Sequence, residues 1–144
     1  MNKRNRWFKN EKGQSIVEFA LILPLLLTLL LGLVEFGWIF SAQVTITNAA
    51  RVSARVAAIS GGPPSTDYQV AAIDAMNIKA ITNPSVGVPV IGPVSIEGTT
   101  TNMAVVTVTG DVKTLTHFFD QWLFGGDKIT LSATAKMRIE YKLP

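Results

Sequence analysis

Between Phe19 and Val34 the chain carries sixteen consecutive residues without a charge, most of them leucine. As a helix rising about 1.5 Å per residue this run extends roughly 24 Å, a little less than the ~30 Å hydrocarbon core of a bilayer. Glu18 and Glu35 bracket the run, and Phe36-Gly37-Trp38-Ile39-Phe40 prolongs its apolar character, so a helix over 14–40 reaches both interfaces. A helix that is apolar on every side needs either a large protein core or lipid around it. The hundred or so residues that follow are too few to enclose it, and a transmembrane helix is the reading the pattern supports. Pro24 removes one backbone donor and crowds the carbonyl of Ala20, which predicts a kink of the kind membrane helices tolerate.

Beyond the apolar run the helical period persists. Ala42, Ile46, Ala49, Val52, Val56 and Ile59 recur at three- and four-residue spacing, and Gln43, Thr47, Arg51 and Arg55 form a polar stripe at a spacing of four. No breaker separates Trp38 from Ser60, so one helix is expected from about Gln14 to Ser60, with 41–60 as an amphipathic continuation that must lie against something. Gly61-Gly62-Pro63-Pro64 ends it. Thr66-Asp67-Tyr68-Gln69 has the form of a capping box and predicts a second helix to about Ile81, burying Val70, Ile73, Met76 and Ala80, with Asn83-Pro84 closing it.

Strand periodicity takes over toward the C-terminus. Glycine and proline from Ser85 to Pro93 predict an irregular or edge segment, followed by a strand near Val94–Glu97 and a turn at Gly98–Asn102. Ala104, Val106 and Val108 then alternate with Val105, Thr107 and Thr109. The clearest strand is the last, where Ile129, Leu131, Ala133, Ala135, Met137, Ile139 and Tyr141 alternate with Thr130, Ser132, Thr134, Lys136, Arg138, Glu140 and Lys142. One face buried and one wet is the signature of a small antiparallel sheet, which needs a cover to be stable. The amphipathic half of the long helix supplies it. The expected class is α+β, with residues 61–144 forming one domain.

Charge changes the picture once it is divided by region. The formal net charge is +3 over 144 residues, but Lys3, Arg4, Arg6, Lys9 and Lys12 against Glu11 place +4 within residues 1–13, leaving the remainder at −1. The basic residues are thus a leader beside a membrane segment, and a nucleic-acid partner loses its support. By the positive-inside rule the leader stays in the cytoplasm and the C-terminal domain is exported. The ends of the apolar run make poor signal-peptidase sites: cutting after Ala42 would place Phe40, and cutting after Ala50 would place Asn48, where a small residue belongs. Retention as an anchor is expected.

Catalytic chemistry finds little to work with. Cysteine is absent and His117 is the one histidine, which excludes thiolate metal sites, disulfides and cysteine nucleophiles. No phosphate-cradling glycine loop, Gly-x-Ser-x-Gly or His-Glu-x-x-His motif occurs. Asp67, Asp74, Asp111, Asp120 and Asp127 are scattered over helix starts and turns, where aspartate has ordinary capping roles. No catalytic residue, metal, cofactor or small-molecule substrate is assigned. Leu115, Phe118, Phe119, Trp122 and Leu123 fall at helical spacing ahead of Gly125-Gly126. They either plug the end of the sheet or form an exposed surface for another subunit or lipid.

Gly13-Gln14-Ser15-Ile16-Val17-Glu18-Phe19-Ala20 resembles the processing motif of type IV prepilins. Together with Leu23-Pro24, Gly32-Leu33-Val34-Glu35-Phe36-Gly37 and the stretch Asn48 to Ala58, it resembles the TadE-like minor pseudopilins of tight-adherence (Flp) pili. The final Ala133 to Glu140 is similar to that family's closing strand. The resemblance implies a pilin-like fold and a non-enzymatic subunit in the bacterial inner membrane, its C-terminal domain periplasmic or extracellular. A membrane prepilin peptidase would cut between Gly13 and Gln14, making Glu18 the fifth mature residue. The partners implied are that peptidase, other pilin or pseudopilin subunits and the pilus assembly platform.

Glu18, beside Phe19, would then pair with the amino terminus of a neighbouring subunit, because a carboxylate at the edge of hydrocarbon is costly unless paired; the plainer reading is that it reaches the interface. Glu35 is open between an intramembrane polar position of the family and a solvated carboxylate at the outer interface. The departures are Gln14 at the mature first position, where type IV pilins usually present phenylalanine, and the existence of TadE-like proteins that remain uncleaved. The alternative is an uncleaved, single-pass periplasmic binding or scaffold module, and a membrane-tethered enzyme would need an essential exported polar cluster.

Overall fold

The computed structural model describes residues 11–60, 63–96, 98–116 and 125–139. In chain order the elements are α1 (Glu11–Ser60), α2 (Asp67–Ala75), β1 (Ile81–Val86), β2 (Val90–Ile96), β3 (Thr99–Lys113) and β4 (Lys128–Arg138), an α+β arrangement as the alternating periodicities require. The chain divides into two compact units, one reaching to Phe36 and the other beginning at Gly37.

In the first unit α1 is a bare apolar cylinder. Its large aliphatic and aromatic side chains from Ile16 to Val34 are all exposed, Leu21 at 75% and Leu25 at 71%. Exposure on every side is unfavourable in water and natural in hydrocarbon. The helix continues through Pro24, where Thr28 Oγ1 donates to the Pro24 carbonyl at 2.8 Å.

The second unit is built on β3. β4 pairs antiparallel along one edge, from Met103↔Arg138 to Lys113↔Lys128. On the other edge β2 covers the first half of β3, Ile96↔Thr99 to Val90↔Val105, and β1 covers the second, Val86↔Val108 to Ile81↔Val112. β4 opposes both at the same β3 residues, so β1 and β2 lie end to end. Between them the Gly87 amide donates to the Thr107 carbonyl at 2.8 Å.

Alternation along β3 sends Ala104, Val106, Val108 and Val112 into the core. There they meet Ala42, Ile46, Ala49, Ala50, Ala54 and Ala57 of α1, with Tyr68, Ala72 and Met76 beside them. The β4 residues Leu131, Ala133, Ala135 and Met137 pack against this cluster as the period-two pattern predicts. Trp38 Nε1 donates to the Lys113 carbonyl at 3.1 Å, and Gln43 Nε2 donates to the Ser132 carbonyl at 3.3 Å. These bonds tie the polar flanks of α1 to the sheet.

Several expectations need correction. Of the stripe Ala42, Ile46, Ala49, Val52, Val56, Ile59, Val56 stays half-buried against the core, but full burial ends at Ala49. Beyond it the buried face is Ala50, Ser53, Ala54, Ala57 and Ala58, while Val52 is 37% and Ile59 73% exposed. Small residues win because α2 crosses close to the backbone of α1, where Ser53 Oγ donates to the Tyr68 carbonyl at 2.8 Å. The second helix ends at Ala75, because Ile81 is claimed by pairing with Val112. Within α2, Tyr68, Ala72 and Met76 face the core, whereas Val70 and Ile73 are 56% and 45% exposed. The capping box does not form: Thr66 makes no side-chain cap bond, and it is Ser65 Oγ that accepts from the Asp67 amide at 3.2 Å. The turn expected over Gly98–Asn102 narrows, since Thr99 already opens β3.

Asn83-Pro84 is a bulge in an edge strand and not a helix stop. The register steps from Thr82↔Asp111 to Ser85↔Thr109, so two residues stand opposite Gly110. Proline is tolerated there because no ladder donor is required. Asn83 takes the left-handed region at φ 49°, which asparagine enters more readily than most residues. Its Nδ2 donates to Asp111 Oδ2 at 3.2 Å, and Thr130 Oγ1 donates to Asp111 Oδ1 at 2.8 Å. These hydrogen bonds, with Lys128 Nζ at 3.8 Å, hold the Asp111 carboxyl below its ordinary value of 3.8. A depressed carboxyl contributes stability that is fully present above its unfolded pKa and is lost as pH falls through the folded one. The thermal midpoint is therefore expected to fall on acidification from about pH 4 downward, and Asp111→Asn should flatten that part of a midpoint-against-pH series.

Candidate functional site: the N-terminal turns of the long helix

Gly13, Gln14, Glu18 and Phe19 lie on the first turns of α1, all exposed. Gln14 and Glu18 are one turn apart on the same face, and Gln14 Nε2 donates to Glu18 Oε1 at 3.1 Å. An ionised carboxylate has about four lone-pair sites, so this bond leaves Glu18 able to accept from another cation or donor. Phe19 is 61% exposed.

Gly13 stands in open space: among the described residues, its chain neighbours and the helix's own backbone aside, no atom lies within 4 Å of where a Cβ would sit. Glycine inside a helix costs roughly 1 kcal/mol relative to alanine. No contact among the described residues requires glycine at this position. The Gly13–Gln14 bond also lies in the first helical turn, where helix ends fray most readily.

The other singled-out residues are not brought to this place. Glu35 is 2% exposed and engaged in an interaction. Arg51 and Arg55 are exposed on α1. Arg51 borders a groove of about 680 Å³ along with Phe40, Val44, Asn48 and Ile78, a feature the helical period alone could not reveal because Ile78 comes from beyond α2. Leu115 is 49% exposed, while Phe118, Phe119, Trp122 and Leu123 lie outside the described residues. Among the described residues no group of three or more histidine, cysteine, aspartate or glutamate side chains is placed to hold a metal ion.

Sequence reasoning missed one surface altogether. Val90 stands opposite Val105, and Val105 opposite Lys136, so all three share the sheet face turned away from α1. Met103 and Val94 lie on the same face, with Arg138 opposite Met103. Alternating valines could be seen in the sequence, but only the register collects them into a patch.

α1 is the single helix among the described residues long and apolar enough to cross a membrane, and its most apolar stretch is wholly unburied. No curated protein and no solved structure matches the chain. A family match does exist, and it falls entirely within α1, leaving the likeness at Ala133–Glu140 outside it. Residues 13–55, from the exposed glycine of the first turn to Arg55, match the family model described as TadE-like protein.

Proposed function

We propose that this chain is a minor pseudopilin-like structural subunit that assists assembly of a tight-adherence pilus. The observation that carries the reading is the TadE-like match over residues 13–55 on a helix whose large apolar side chains from Ile16 to Val34 are all exposed. Such a helix gains its stability from lipid or from like helices packed around it. The basic leader holds the N-terminus in the cytoplasm, and residues 41–144 are exported. A membrane prepilin peptidase cuts between Gly13 and Gln14. The open surroundings of Gly13 support this step, because a glycine that costs helix stability and fills no tight contact is accounted for by recognition from outside the chain.

Removal of the leader exposes a cationic amino terminus at Gln14. Glu18 of a neighbouring subunit is its natural counter-charge, and the pairing fixes the register of the incoming helix while satisfying two groups that hydrocarbon disfavours singly. The protein's role is structural, and its partners are the peptidase, other pilin or pseudopilin subunits and the assembly platform.

The test is the N-terminal sequence and intact mass of the protein recovered from membranes with and without the peptidase. The expected result is a chain starting at Gln14 that disappears when the peptidase is removed. A retained Met1 in both strains overturns the processing step and favours an uncleaved anchored module.

A further inference from the structure

Two exposed surfaces of the second unit are complementary in chemistry and separate from one another. On α2 the aliphatic Val70 and Ile73 are exposed, flanked by the exposed carboxylates Asp67 and Asp74, and the helix contains no basic residue. On the outer sheet face Val90, 68% exposed, joins Val94, Met103 and Val105, with the exposed cations Lys136 and Arg138 alongside them through the β3–β4 register. Among the described residues no acid lies at this end of the face; Asp111 sits at the opposite end of β3, beside Lys128.

α2 packs through Tyr68 and Ala72, with Met76 just after it, into the core that α1 shares with the inner sheet face, so its exposed face and the outer sheet face are separate surfaces of the unit. They cannot meet within one chain. We propose that the outer face of α2 in one copy docks on the outer β2–β3–β4 face of a second copy, joining copies head to tail. Asp67 and Asp74 meet Lys136 and Arg138, and Val70 and Ile73 cover Val90, Val94, Met103 and Val105. A contact between two different surfaces is heterologous and propagates from copy to copy unless rotation closes a ring. Apolar centres with opposite charges at their rims select this partner over a like surface, since like charges brought together are strongly disfavoured. The inference rests on the subunit reading in one respect, that copies meet side by side in a membrane, and it does not depend on leader removal.

The absence of cysteine makes a direct test available in the full chain in its own membrane. Val70→Cys and Val90→Cys alter exposed side chains and leave the core untouched. Under mild oxidation the double variant should give a ladder of dimers, trimers and larger species. The two single variants expressed together should stop at dimers, and each alone should give none. Asp67→Lys with Asp74→Lys, or Lys136→Glu with Arg138→Glu, should each lower the ladder about tenfold or more, and chains carrying opposite reversals should link to one another.

Dimers from either single variant alone, a yield no greater than that of a Val70→Cys, Ser132→Cys control, or a ladder unchanged by both reversals would each overturn the contact. Intact mass read on the same samples separates the two readings. A chain starting at Gln14 without a ladder removes this contact and leaves the subunit function standing, whereas a ladder on uncut chains removes the processing step and leaves the contact standing.

Discussion

Glu18→Ala should abolish the co-assembly proposed above while leaving the unit that begins at Gly37 folded. Within the chain the Glu18 side chain takes one exposed hydrogen bond, from Gln14 Nε2. Exposed pairs one helical turn apart contribute about 0.2–0.5 kcal/mol, so little folding stability is at stake. Between chains the stakes are larger, because without Glu18 the amino terminus of an incoming subunit enters the edge of hydrocarbon with no counter-charge. Glu18→Gln separates charge from hydrogen bonding: it retains an acceptor and should remain defective. The measurement is recovery of the protein in sheared or cross-linked pilus fractions, set against its thermal midpoint in detergent. Normal recovery of Glu18→Ala would reduce the carboxylate to an interfacial group.

The second large effect is expected where α1 meets the bulged edge of the sheet. Ile46 is fully buried, and its Cδ1 lies 3.4 Å from the position a Cβ would take at Gly110. Ile46→Ala removes three carbons from this contact and should cost about 2–5 kcal/mol, lowering the thermal midpoint by roughly 10 °C or more. Gly110→Ala errs in the other direction. The added methyl would stand 2.7 Å from Ile81 Cγ2, a branch methyl that is stiff at χ1, and overpacking of this kind costs about 1–3 kcal/mol. Ile81→Leu takes away that branch methyl, so it should recover part of the Gly110→Ala loss by about 0.5 kcal/mol or more through direct coupling. Thermal unfolding of the single and double variants, followed by circular dichroism, checks both signs. Strict additivity of Gly110→Ala with Ile81→Leu would place the strain elsewhere.

This contact also shows what periodicity reads well and where it stops. The alternation from Ile129 to Met137 was legible because every second residue of a strand shares a face, whatever the strand pairs with. The α1 stripe was legible to Ala49, and beyond it Val56 still packs against the core. A hydrophobicity pattern also favours the larger Val52 and Ile59, which are exposed, whereas the alanine side with Ser53, bonded to the Tyr68 carbonyl, is buried. Asn83-Pro84 was misread for a related reason. Its local chemistry suits a helix stop and a strand bulge equally, and the choice is made by β3, which lies about thirty residues further on. The proposed cleavage positions Gly13 and Gln14 and the proposed assembly positions Glu18 and Phe19 come from motif and spacing, whereas the α2 and outer-sheet surfaces come from the tertiary structure.

The sequence by itself determined the elements whose cause is local: an apolar run long enough for a bilayer, a charge-divided N-terminus, the helical continuation through residue 60 and the period-two strands. Tertiary structure alone decided the burial of Ser53 and Ala54, the seat for a bulge opposite Gly110, and the gathering of Val90, Met103 and Val105 beside Lys136 and Arg138. The physical reason is range. Helical period and hydropathy act over a few residues, whereas register and close packing are fixed by contacts between segments far apart in the chain, whose geometry exists only once the sheet and its covering helix have met.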